Sequence, residues 1–134
     1  MFTGGCYCGK IRYEMATEPT VVHCHCDNCK RSVGSSFVSW AVIPLQDLNH
    51  IGEQPTIHVT DEKVERSFCS KCGSSISYFQ RDGDSIDITV GTMDNPSSVK
   101  PSKHIWDRKR IHWVKMDDGL PHFSERSTGN EPIE

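Results

Sequence analysis

Seven cysteines fall into three tight groups along the chain: Cys6-x-Cys8, Cys24-x-Cys26-x-x-Cys29 and Cys69-x-x-Cys72. Thiols one or two residues apart are arranged to share one centre, so the groups dictate which distant segments must meet. An odd count fits a disulfide framework poorly. The N-terminal stretch Met1-Phe2-Thr3-Gly4-Gly5 has no basic-plus-apolar leader, and no apolar run approaches a membrane span. A cytoplasmic location is therefore expected, and there cysteine clusters more often bind metal than cross-link.

The groups sort into four plus three. Cys6, Cys8, Cys69 and Cys72 supply four thiolates from two local pairs, the ligand set of a closed structural zinc site. On a plain strand, residues two apart lie about 6.6 Å apart. Two sulfurs on one tetrahedral zinc lie about 3.8 Å apart. The chain must pinch at Cys6–Cys8, and Gly9 permits it. Cys24, Cys26 and Cys29 are three ligands with a vacancy, as in a catalytic zinc site. Two other readings stay open for this trio: a second closed site completed by His23 or His25, or a redox pair Cys26/Cys29 with Cys24 resolving. His25 is expected to face away from the Cys24/Cys26 side if the segment is extended.

Three thiolates on Zn²⁺ leave a net negative centre, which blunts Lewis acidity and makes hydrolysis a poor assignment. Soft ligation favours capture of an outside thiol as its nucleophilic thiolate. Lys10, Lys71, Lys30 and Arg31 follow the cysteines closely, as cations placed to offset such charge; Lys30 or Arg31 could also meet a carboxylate on the incoming thiol.

The rest of the chain reads as mostly β with little helix. Gly5–Met15, Thr20–Cys24 and Ser35–Ile43 alternate as strands, with Asp27-Asn28 read as a turn. Pro44–Leu48 is expected to make one helical turn. Hairpins are expected around Asp61-Glu62 and at 81–84. Residues 1–123 are read as a single domain and 124–134 as a flexible tail. A net charge of −3 with thinly spread cations argues against nucleic acid or an anionic membrane as partner. The stretch Lys103–Trp113 mixes cations and aromatics but is read as an edge strand and turn. His50, His58, His104, His112 and His122 lack ligand-like spacing. The zinc-deaminase signature is absent.

The order Cys-x-Cys-Gly (Cys6 to Gly9), Cys-His-Cys-x-x-Cys-Lys-Arg (Cys24 to Arg31) and Phe-Cys-x-x-Cys-Gly (Phe68 to Gly73) resembles the glutathione-dependent formaldehyde-activating enzyme family, which is related to centromere protein V. The resemblance continues through Gly34-x-x-Phe37, Met93–Pro96, His104–Trp106, Trp113 and Leu120-Pro121-x-Phe123. It implies a β-tent of two antiparallel sheets stapled by a structural zinc on Cys6, Cys8, Cys69 and Cys72. A second, catalytic and labile zinc would sit on Cys24, Cys26 and Cys29. The implied activity is that of a carbon–sulfur lyase run in reverse, joining a small thiol such as glutathione to formaldehyde or another carbonyl compound. A zinc-stabilised module without catalysis is the alternative. Assembly is left open, a homodimer among the options.

Overall fold

The computed structural model describes residues 1–133. In chain order the strands are β1 (Phe2–Gly5), β2 (Arg12–Met15), β3 (Thr20–Cys24), β4 (Val38–Pro44) and β5 (Leu48–His50). They continue as β6 (Thr56–Val59), β7 (Val64–Phe68), β8 (Ser75–Gln80), β9 (Ser85–Thr89) and β10 (Pro101–Ile105). One short helix, α1 (Asp27–Val33), links β3 to β4. The strands form a three-stranded sheet, β1-β2-β5, and a seven-stranded sheet, β10-β3-β4-β9-β8-β7-β6. The mostly β, two-sheet expectation holds.

Both expected hairpins form, β6–β7 and β8–β9, and Leu45–Asp47 makes the expected turn after Pro44. Three local expectations change. Gly5–Met15 is not one strand but a hairpin: Cys6 N–H donates to Ile11 O and Gly9 N–H to Cys6 O, both at 3.0 Å. Gly9, at φ +83°, turns the chain where the alternating pattern runs on unbroken. Asp27-Asn28 open a helix rather than a turn. The signals are an acid in its first turn, basic Lys30 and Arg31 in its last, and left-handed Gly34 (φ 76°) at its C-cap. Finally, the large sheet is not wholly antiparallel, because β10 runs parallel to β3. The far edge of β3 is already paired with β4, so β10 reaches the open edge only after a long crossover from β9.

The two faces of the large sheet do different things. Val21, Ala41, Ile43, Ile86 and Ile88 point to one side and meet Tyr13 and Met15 of the small sheet, with Cys6 and Cys69 in the same core. Each such valine or isoleucine side chain contributes about 1.5–3 kcal/mol on burial. On the other side Val22, Cys24, Val38 and Trp40 cluster with Cys29 of α1. Because successive residues of β3 are buried on opposite faces, Val21 serves the core and Val22 the second cluster. Of the expected tail, 124–134, Glu134 lies outside the described residues, and 124–133 include backbone acceptors: Trp106 N–H donates to Glu125 O and Arg108 N–H to Ser124 O. Among the described residues no helix is long and apolar enough to cross a membrane.

Candidate metal centres

All seven cysteines are free thiols. The first centre is built by two turns of similar design. Cys6 closes the β1–β2 turn, and its sulfur accepts Ile11 N–H at 3.2 Å. Cys69 opens the β7–β8 connection, where Gly73 N–H donates back to Cys69 O at 2.8 Å. The residue after each second cysteine, Gly9 or Gly73, has a positive φ that curls the backbone around the sulfurs. The turns also touch directly, since Tyr7 N–H donates to Ser74 Oγ at 3.0 Å. Sulfur separations of 3.5 Å (Cys6–Cys8) and 3.8 Å (Cys8–Cys69) are far too long for a disulfide. They match the spacing of about 3.8 Å for two thiolates on one tetrahedral zinc. The four sulfurs all lie within 4.8 Å of one another. A hydrogen bond from the Ser74 hydroxyl, aided by backbone N–H groups, holds the Cys72 thiol down at about 5. This donor set fits a thiophilic metal.

The second centre gathers Cys24 from the end of β3, Cys26 at the N-cap of α1 and Cys29 from its first turn. Their sulfurs also lie within 4.8 Å of one another. Cys29 N–H donates to Cys26 Sγ at 3.2 Å. The neighbouring Cys24 thiol, then Cys29 and that N–H, hold Cys26 down at about 3, whereas Cys24, whose thiol hydrogen-bonds to the Cys26 and Cys29 sulfurs and is buried, is pushed up. The three sulfurs thus compete for negative charge, which a bound cation would relieve.

Among the described residues no histidine completes this trio. His25, fully buried, faces away as expected, and its Nε2 lies 2.8 Å from His104 Nδ1. His23 Nδ1 lies 2.8 Å from Ser39 Oγ, and His23 groups with His104 and Asp118 instead. Sequence spacing missed this histidine cluster because the parallel register His104↔His23 assembles it. Asp118 closes on His104 Nε2 at 2.7 Å, and Asp107 on His122 Nδ1 at 2.7 Å.

Two of the four cations expected beside the cysteines, Lys30 and Lys10, are engaged elsewhere. Lys30 Nζ donates to Lys109 O at 2.6 Å and pairs with Asp27 at 3.3 Å; Lys10 pairs with Glu53 at 3.3 Å. Arg66 of β7 reaches the trio instead, its Nη2 3.7 Å from Cys29 Sγ and its guanidinium 4.9 Å above the Tyr78 ring. Pairing of β7, β8 and β9 sets Arg66, Tyr78 and Asp87 in one row across the sheet. Beside them a recess of about 220 Å³ is lined by Ser32 and Val33 of α1, Trp40, His58, Arg66 and Phe68. It offers a partly apolar slot with one cation, Arg66, which also approaches the Cys29 sulfur.

Comparison with known proteins agrees with this architecture. A family model described as glutathione-dependent formaldehyde-activating enzyme matches residues 1–109. The fold is similar to the crystal structure of a Rhodobacter sphaeroides protein, a structural-genomics target, with a TM-score of 0.57 at 20% sequence identity. The match covers 90% of this chain and 98% of that one.

Proposed function

Since the chain belongs to the glutathione-dependent formaldehyde-activating enzyme family, we propose that it joins a small thiol, of which glutathione is the leading candidate, to formaldehyde or a related carbonyl compound. The observation that carries this reading is the trio Cys24, Cys26 and Cys29, with no fourth His, Cys, Asp or Glu in its cluster among the described residues. Zinc is the metal that both cysteine centres suit best, closed at Cys6, Cys8, Cys69 and Cys72 and open at the trio. When bound there, it lowers the pKa of an incoming thiol and orients the sulfur.

The protein's own groups do the rest. Arg66, beside Cys29, offsets negative charge that accumulates when an anionic sulfur approaches three thiolates. The recess between α1 and β7 holds the body of the thiol and excludes part of the surrounding water. In the reaction a carbon–sulfur bond forms as the carbonyl π bond opens, and the proton lost from sulfur ends on the carbonyl oxygen. No oxidant or reductant is consumed. Such additions proceed unaided, so holding the two reactants together supplies most of the acceleration.

The test is adduct formation from glutathione and formaldehyde, followed by exchange NMR. Wild-type protein should accelerate it, and Cys26→Ser should return it to the uncatalysed rate while retaining the metal of the four-cysteine centre. Equal rates for the two proteins would overturn the proposal.

A further inference from the structure

A second recess, of about 190 Å³, lies on the side of β3 that His25 faces, away from the trio. Its walls include His25, His104, Arg110, Lys115 and His122, with Val114 as an apolar element. It has room for about six waters at liquid density, or one small molecule. The imidazoles there are backed by carboxylates, which settles their donors and acceptors. Asp118 accepts from His104 Nε2–H, so in the neutral ring His104 Nδ1 is an acceptor. His104 Nδ1 therefore accepts from His25 Nε2–H. His25 Nδ1 is left with a lone pair, and this buried atom has no hydrogen-bond partner. By the same logic Asp107 accepts from His122 Nδ1–H and leaves a lone pair on His122 Nε2.

The cations complete the pattern. Arg110 spends Nη1 on Val114 O, and its buried Nε has no hydrogen-bond partner, lying 3.4 Å from Asp107. Lys115 is exposed at the rim. Among the described residues the lining of the recess carries two cations, Arg110 and Lys115, and no carboxylate, Asp107 and Asp118 standing behind the imidazoles. This favours an anion within it, and two imidazole lone pairs call for a donor on the same molecule. An ammonium group is a poor donor here, because it would be a third cation beside Arg110 and Lys115. A hydroxyl fits.

We propose that this recess binds a small α-hydroxycarboxylate, with the carboxylate on Arg110 and Lys115 and the hydroxyl donating to His25 Nδ1. Among the described residues no cysteine lines the recess, and the five-heavy-atom acid glycolate is the simplest probe.

The experiment is calorimetric titration of the full chain with glycolate, acetate and sulfate, with the His25 ring nitrogens followed by NMR. Glycolate should bind saturably, about tenfold more tightly than acetate, since a lost hydrogen bond leaves the imidazole acceptor unpaired. The His25 Nδ1 signal should move with glycolate alone. Arg110→Gln should weaken binding at least several-fold, and Lys115→Gln, at the exposed rim, gives the same reading should the first variant fail to fold. Equal responses to all three anions would identify an adventitious ion only and overturn the proposal. So would an unmoved His25 signal, binding unchanged in Lys115→Gln, or no binding of any probe.

Discussion

Asp87 shows how a single side chain's environment is set across strands. Burial first, then the nearby Cys29 sulfur, pushes its carboxyl up to about 7, against the pull of Arg66. An acid whose pKa is higher folded than unfolded costs stability as pH rises from about 4 through about 7, because the native state resists giving up the proton. Asp87→Asn removes that cost. Urea titrations should find the variant more stable than wild type by about 1–2 kcal/mol at pH 8, with the gap closing near pH 4.5. A gap independent of pH would show that the carboxyl ionises normally. Arg66 makes the complementary point. The motif neighbours Lys30 and Lys10 suggested the local counter-charge, yet both are held by other partners, and the guanidinium on Cys29 comes from β7. No local pattern marks Arg66, because its proximity to Cys29 exists only after β7 pairs with β8 and β8 with β9.

At the scale of the element, α1 is what converts a cysteine-rich string into a three-sulfur cluster. Cys26 caps the helix and Cys29 lies one turn in, so the helical rise brings their sulfurs together. Its end depends on Gly34, whose N–H donates to Lys30 O at 2.8 Å from a left-handed conformation. Space for a Cβ is open there, so any cost of substitution is backbone strain rather than collision. Gly34→Ala should destabilise the protein by about 1 kcal/mol, and Gly34→Asn by clearly less, since asparagine tolerates this conformation. Thermal melts of the two variants check this, and equal losses would show that the cap conformation is not what is being lost. The signals for α1 were present in the sequence. Asp27-Asn28 are also good turn residues, and seven residues are too few for periodicity to decide between the two.

For the whole molecule the four-cysteine centre joins the β1–β2 turn of the small sheet to the β7–β8 connection of the large one. Metal there would contribute directly to folding. Cys69→Ser should therefore lower stability by more than about 3 kcal/mol or leave the chain unfolded, whereas Cys26→Ser should leave the melting temperature nearly unchanged. Calorimetry and metal analysis of both variants check this, and similar losses would show that the two centres do not divide the work as proposed. The two-sheet arrangement was implied by the family resemblance alone. The division of seven cysteines into four and three, the mostly β class, the β6–β7 and β8–β9 hairpins and the turn of His25 away from Cys24 and Cys26 were legible beforehand from spacing and alternation, which local backbone geometry enforces. The parallel entry of β10, the carboxylate–histidine chain from Asp118 through His104 to His25, and the placement of Arg66 on Cys29 were not. Each joins residues tens of positions apart, and only the order of strands in the sheet brings them within hydrogen-bonding reach.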